Sequence, residues 1–296
     1  MQTWTTGGCT ATLTGTSPNY TLTIAPTPPA ATGAMADYTS SSTMPWYSYQ
    51  SNIKTLIIEE GVTRIGTYAF YSCNYLTGSL TIHNSVTFIG NAAFMYCAGI
   101  TSLTIPASVT SYGYDILDYC SGLTEIHVSW TDPPYVGYQA GLPVSTILLY
   151  IPCGSMATYR HADDGDGWNF FDYIIEETAT ASDINVTGST SICPGATASL
   201  TASSNIQDLT YKWYESASAT ATLLYTGATY TPTPTSTTTY YVAASSGIYC
   251  ENAADDRKAV TVTVEPKLNS SSSKLACSGV PFTYTATSAT SGTTFC

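Results

Sequence analysis

Residues 53–73, IKTLIIEEGVTRIGTYAFYSC, are followed by 76–97, LTGSLTIHNSVTFIGNAAFMYC, by 100–120, ITSLTIPASVTSYGYDILDYC, and by the fragment 123–130, LTEIHVSW. Set in register, Leu56, Leu80, Leu103 and Ile126 are equivalent, as are Ile58, Ile82, Ile105 and Val128. Val62, Val86 and Val109 form a third set, and Cys73, Cys97 and Cys120 a fourth. The steps are 24, 23 and 23 residues, the longer one carrying an extra residue near Gly78. A period of this size marks a solenoid, whose coils bury a continuous core only by stacking on one another.

The L-x-I alternation in each coil predicts a strand with Leu80 and Ile82 inward and Ser79, Thr81 and His83 outward. Val86 and Ile89 make a second inward corner, and Ala93, Phe94 and Cys97 a third. Coils paired strand to strand sit about 4.8 Å apart, so outward residues fall into columns. One column is Thr55, Ser79, Ser102 and Glu125; the next is Ile57, Thr81, Thr104 and His127; the last is Glu59, His83, Pro106 and Ser129.

A solenoid exposes an apolar end unless capped. Residues 1–50 contain the alternating runs CTATLTG and YTLTIAP around a turn signal at Ser17–Asn19, which predicts a β-hairpin. That hairpin, with Met35, Tyr38 and Trp46, is the expected N-terminal cap of a repeat region over 51–130. Residues 131–178 leave the period and are expected to form a last coil and C-terminal cap. In it, Ser155 caps a short helix through Tyr159, and Trp168, Phe170 and Phe171 close the apolar end.

After a linker at 178–182 come short alternating runs, INVT, TASLTA, TYKWY, LLYT, TYYVAA and AVTVTV, over residues 183–265. Strands at this spacing predict an immunoglobulin-type β-sandwich. Tyr211, Trp213 and the run Tyr240, Tyr241, Val242 resemble its strand-C tryptophan and tyrosine corner, yet Val242 and either Ala198 or Leu200 stand where its cysteines would be. Residues 266–296 restart the same grammar and supply only the first strands of a second sandwich. The expected fold class is thus mostly β: a short capped solenoid, one sandwich and part of another.

Only 9% of residues are charged, with Lys+Arg 8 against Asp+Glu 20 and a net charge of -12. Nucleic acid and anionic membrane are both bound by dense Lys and Arg, so neither is an expected partner. The nine cysteines include no CxxC pair, which removes zinc ribbons and thioredoxin-like chemistry. No apolar run approaches 18 residues, so no transmembrane span is expected. The opening MQTWTTGGC has neither the charged nor the apolar region of a leader, and Met1 is read as the start of a fragment with its leader upstream.

The repeat SLTIPASVTSYG with its equivalents, the GAMADY and PWYSY entry, and the YIPCGSMATY and GWNFF exit resemble the BspA-like leucine-rich repeat proteins of bacterial surfaces, over about residues 20–177. Residues 183–265 resemble the Ig-like domains that follow such repeats in secreted Bacteroidetes proteins, and 266 onward the start of a PKD-like domain. The resemblance implies an extracellular or cell-surface adhesion protein that binds a protein or glycan and is not an enzyme. Its alternative is an accessory carrier or spacer segment of a larger secreted enzyme. Only about three full coils are present, which leaves little room for a large concave ligand surface.

The candidate chemistry is sparse. His83, His127 and His161 are the histidines, and neither GxSxG nor HExxH occurs, so no catalytic residue and no cofactor are assigned. The run DDGDG offers Asp163, Asp164 and Asp166 to calcium but lacks the spaced ligands and distal Glu of a calcium loop, and a solvated turn explains it as well. Glu59 beside His83, and Glu125 beside His127, each present two ligands and no third, which reads as solvated cross-strand pairs. The outward face is the expected binding surface, with candidates Ile57, Glu59, Thr81, His83, Thr104, Pro106, Glu125 and His127. Cys73, Cys97 and Cys120 suit a tight interior corner as buried free thiols. Cys193 and Cys250 are the cysteines inside the sandwich and an economical disulfide for an exported protein, while standard Ig topology sets them toward opposite ends; both readings stand.

Overall fold

The computed structural model describes residues 1–134, 140–160 and 168–265, in two compact units, Met1–Glu177 and Thr178–Cys296. The calcium candidates Asp163, Asp164 and Asp166, His161, and the expected second sandwich at 266–296 lie outside the described residues.

The first unit begins with an antiparallel meander of β1 (Gln2–Thr6), β2 (Cys9–Thr16) and β3 (Asn19–Pro26), then β4 (Gly33–Ala34). The coils follow as β5 (Ile53–Ile58), β6 (Val62–Ile65), β7 (Gly78–Thr81), β8 (Phe88–Ile89), β9 (Ile100–Ile105), β10 (Ser111–Tyr112) and β11 (Glu125–Val128). The unit closes with β12 (Leu148–Ile151), helix α1 (Met156–Arg160) and β13 (Tyr173–Glu176). Three sheets result, with orders β1-β2-β3-β5, β7-β9-β11-β12-β13 and β4-β6-β8-β10. The repeat strands pair in parallel, and the register is the one the sequence equivalences require: Leu80 opposite Leu103, Leu103 opposite Ile126, Thr81 opposite Thr104, Thr104 opposite His127.

The N-terminal hairpin does more than cover the end. β3 pairs in parallel with β5, Leu22 beside Leu56 and Ile24 beside Ile58, so it serves as a coil strand in its own right. Trp46 is fully buried and stacks on Phe70, which stacks on Phe94 at a centroid distance of 5.4 Å. Trp46 therefore occupies the place an aromatic of a preceding coil would fill. At the other end two strands stand where one last coil was expected. Trp168 and Phe171 are buried against it, whereas Phe170, expected beside them, is 40% exposed. Trp168 packs on Trp130 and Tyr159, and the Tyr159 hydroxyl donates to the Trp130 carbonyl at 2.8 Å.

The one longer step leaves a mark. Gly78 adopts φ +84°, and no strand ladder joins β5 to β7; the Thr77 amide donates to the Lys54 carbonyl across the break. A small cleft opens there, lined among others by Lys54, Leu56, Leu76, Ser79 and Leu80. An extra residue of this kind displaces one strand from its partner and forfeits part of the ladder.

Cys73, Cys97 and Cys120 are buried free thiols, as is Cys9. Their ladder is knit to its neighbours: Cys97 Sγ donates to the Phe70 carbonyl and Cys120 Sγ to the Phe94 carbonyl, both at 3.1 Å. Cysteine suits this corner because it is small, apolar and able to satisfy a carbonyl of the preceding coil.

The second unit has its own core around Trp213, Val242, Leu200 and Val262. β14 (Asn185–Gly188), β15 (Ser191–Ile192), β16 (Leu200–Ser203), β17 (Thr210–Tyr214), β18 (Leu223–Thr226), β19 (Thr229–Tyr230), β20 (Thr238–Ser245) and β21 (Lys258–Val264) form two sheets. Their orders are β14-β16-β19 and β15-β21-β20-β17-β18. Val242 and, in the other half of the core, Ala198 and Leu200 are fully buried beside Trp213, so apolar packing fills the position of the missing core disulfide.

Cys153, Cys193 and Cys250 are each disulfide-bonded. The economical Cys193–Cys250 pair is corrected by the strand register. Ile192 pairs with Val264 and Val262 with Thr238, which sets Cys193 at the Thr238 end of β20. Cys250 follows the other end, where the Ser246 amide donates to the Tyr249 carbonyl. Eight residues of strand at about 3.3 Å each separate those ends by roughly 20 Å. A disulfide spans at most about 7 Å between Cα atoms, so these two sulfurs are bonded to other partners.

Candidate functional site

The outward face of the long sheets is built by alternation. On β7, β9, β11, β12 and β13, Leu80, Leu103, Ile126, Leu149 and Ile174 are buried, and their neighbours in sequence face out except Ser102, which is buried at 7% exposure. One outward row runs Thr81, Thr104, His127, Tyr150, Ile175, and a parallel row runs Ser79, Ser102, Glu125, Leu148, Tyr173. Across the break, Ile57 continues into Thr23 and Thr12, and Thr55 into Thr21 and Thr14.

The expected candidates divide accordingly. Ile57 is 44% exposed, Glu59 and Thr81 are exposed, and Thr104, His83, Glu125 and His127 are half-buried. Pro106 is buried at the turn that ends β9, where its carbonyl accepts from the Val109 amide, and it is withdrawn from the face. Glu59 and His83 follow the ends of β5 and β7, on opposite sides of the break, and form no ion pair; His83 Nδ1 instead accepts from the Ser85 amide at 3.3 Å.

His127 is the most elaborated position. Its ring stacks on Tyr150 with centroids 4.4 Å apart and planes 4° off parallel. Nδ1 is hydrogen-bonded to the Glu177 carboxylate and Nε2 lies 4.0 Å from Glu125. The bond to Glu177 holds the imidazole pKa above its ordinary value; burial opposes this, and the charges of Glu177 and Glu125 add to it. A third candidate ligand, Glu177, is therefore present, but the two carboxylates meet opposite nitrogens of one ring. A metal ion needs its donors to converge, so the arrangement is a charged clamp and not a chelate.

Tyr150, Tyr173, Ile175 and Glu177 escaped the sequence reading. Tyr173 and Ile175 are 55% and 38% exposed, which puts the most apolar part of the face at its C-terminal end. The signal for Tyr150 was the period itself, because Leu149 and Tyr150 stand 23 residues after Ile126 and His127.

Among known proteins, residues 45–132 match the family model described as BspA type leucine rich repeat region, in six copies, and residues 180–266 match that of the Ig-like domain, CHU_C associated. No curated protein matches. A solved leucine-rich repeat protein from Eubacterium ventriosum is 25% identical with a TM-score of 0.30, covering 44% of this chain and 44% of that one. The present chain thus spans less than half the length of that protein. Among the described residues no helix is long and apolar enough to cross a membrane. The chain joins a segment similar to BspA-type leucine-rich repeats to one similar to CHU_C-associated Ig-like domains.

Proposed function

We propose that the protein is a non-catalytic interaction module of a bacterial cell surface, which binds a protein or glycan partner through the outward face of its long sheets. The observation that carries this reading is the two-row face itself. It combines hydroxyl side chains (Thr81, Thr104, Ser79) with exposed apolar ones (Tyr173, Ile175) on a rigid ladder of five strands. Interfaces favour this mixture of aromatic and adaptable polar groups over dense charge. Repeat proteins present such surfaces because each coil adds one more row. The Ig-like unit then acts as the element that carries the face.

The test is a binding screen of the whole chain against extracellular proteins and glycans, repeated with Thr81→Arg plus Thr104→Arg. Two arginines on the outward row leave the inward ladder untouched, so the melting temperature is retained while the partner is lost. Unchanged binding by the double variant would move the site off this face.

A further inference from the structure

The turns that follow β6, β8 and β10 carry a contiguous column of tyrosines. Tyr68 packs on Tyr71 at 5.5 Å, Tyr71 on Tyr96 at 5.4 Å, and Tyr96 lies parallel on Tyr119 at 4.6 Å, so one cluster spans three coils. Tyr119 is 43% exposed, and Tyr114 in the same turn is 73% exposed. In these turns the amides at Tyr68, Phe70, Ser72, Ala92, Phe94 and Tyr96 each donate to a carbonyl of the next coil. To aim those amides, Tyr68, Ser72, Ala92, Tyr96, Asp115 and Tyr119 all adopt left-handed backbone with φ between 50° and 63°.

Left-handed backbone costs a bulky residue on the order of 1–2 kcal/mol, and glycine or asparagine would fit it more easily. Ser72 holds the place of Tyr96 and Tyr119, and Ala92 and Asp115 that of Tyr68, so the fold itself does not call for tyrosine there. Strain of this kind, carried by the half-buried Tyr68 and Tyr96 and the exposed Tyr119, points toward recognition.

The chemistry of the surface selects the partner. Tyr96 and Tyr119 close their ring faces on each other, and Gly141 lies against the Tyr119 ring, which removes the flat platform a sugar would stack on. What the cluster offers a partner is therefore its phenol groups. The hydroxyls of Tyr68 and Tyr96 lie near enough to Tyr71 to reinforce burial in raising its pKa. Asp115 is exposed beside them and close enough to Asp118 to raise that carboxyl's pKa, again second to burial. Residues 1–177 hold 13 of the chain's 20 acidic residues, and their cations are Lys54, Arg64 and Arg160. Phenol oxygens and carboxylates accept hydrogen bonds, whereas lysine and arginine heads are pure donors. The open ring of Tyr114 adds a cation–π seat.

We propose that the tyrosine column formed by Tyr68, Tyr71, Tyr96 and Tyr119, with Tyr114 and Asp115, is a docking surface for an extended, lysine- or arginine-bearing segment of a partner protein. This site is separate from the strand face and does not depend on it. The probe is an (Arg-Gly)6 peptide, titrated at 150 mM salt into the whole chain, with (Ser-Gly)6 as the neutral comparison. The arginine peptide is expected to bind at least about tenfold more tightly than the serine one.

The variant is Tyr96→Asn with Tyr119→Asn, since asparagine keeps the left-handed backbone. It is expected to weaken the arginine peptide about tenfold with net charge unchanged. Tyr71→Phe removes one hydroxyl without altering packing and is expected to cost about threefold. Equal binding of the two peptides, or full affinity in the asparagine variant with its circular dichroism intact, overturns the proposal. If Thr81→Arg with Thr104→Arg abolishes arginine-peptide binding while the asparagine variant retains it, the cationic site belongs to the strand face, and this assignment is equally overturned.

Discussion

Phe94→Ala tests whether the coils are held by a continuous aromatic and aliphatic ladder. Phe94 is 1% exposed and stacks on Phe70 at 5.4 Å with planes 19° apart, directly above the Trp46–Phe70 stack. Truncating a buried phenylalanine costs about 3–5 kcal/mol from lost transfer energy and the cavity left behind. The stacked pair accounts for roughly 0.5–1.5 kcal/mol of that. For a unit of this size each kcal/mol moves the midpoint by about 2–4 °C, so a fall on the order of 10 °C is expected. Phe94→Leu is the informative partner. Leu117 fills the equivalent place in the next coil and is 4% exposed there, so leucine should recover most of the loss. Differential scanning calorimetry and urea titration measure both variants. If Phe94→Ala costs less than about 1 kcal/mol, or leucine is no better than alanine, the stacking account of the core is wrong.

Burial pushes the thiols of Cys73 and Cys120 up to about 12, and Cys9 to about 11, so native labelling with a thiol reagent near pH 7.5 should be slow at all of them and fast in urea. Rapid native labelling of the Cys73, Cys97 and Cys120 ladder would contradict its interior placement. Non-reducing peptide mapping should recover Cys193 and Cys250 in disulfide-linked peptides and no peptide linking the two to each other. The His127 clamp gives a pH dependence of definite sign. Its folded pKa is raised above the ordinary 6.5, so the contribution is complete below that value and is lost as pH rises through the folded pKa. His127→Gln should flatten the decline of stability above pH 6.5; an unchanged slope would assign it to other groups.

What was legible in the sequence was direction. Leu80, Ile82, Val86, Phe94 and Cys97 declare their inward placement through spacing alone, because stacked coils repeat each burial decision at a fixed step. The period also ran on to Leu149, where proline-rich intervening residues concealed it. Less legible was anything set by a non-local partner. β1 reads as five polar-rich residues and becomes a strand because β2 offers it an edge, Trp4 opposite Ala11. Glu177 lies 50 residues from His127, and no local pattern links them. The sandwich residues Trp213 and Val242 were readable as a pair because Ig-like packing fixes them across one strand boundary. The disulfide pairing of Cys193 and Cys250 turned instead on which end of β20 each chain segment reaches.

The two sides of the solenoid answer to different physical rules, and this bears on where a partner binds. On the strand side, pairing uses every backbone group in the ladder, and an outward side chain can change freely as long as it tolerates β geometry. Threonine there is what a solvated strand already favours, so on that face it is the pairing of hydroxyls with the exposed Tyr173 and Ile175 that marks a binding surface. On the turn side, each coil must place residues in left-handed backbone to reach the next coil, and composition there is constrained. A tyrosine at position 96 or 119 therefore runs against local preference, while Thr81 and Thr104 follow it. Glycine at Tyr96 would relieve the backbone and, if the residue served the fold alone, would stabilise the unit or leave it unchanged. The same substitution should cost partner binding if the aromatic is kept for recognition. Measuring stability and arginine-peptide affinity on Tyr96→Gly separates the two: loss of both would mean that tyrosine packing, not recognition, holds that turn.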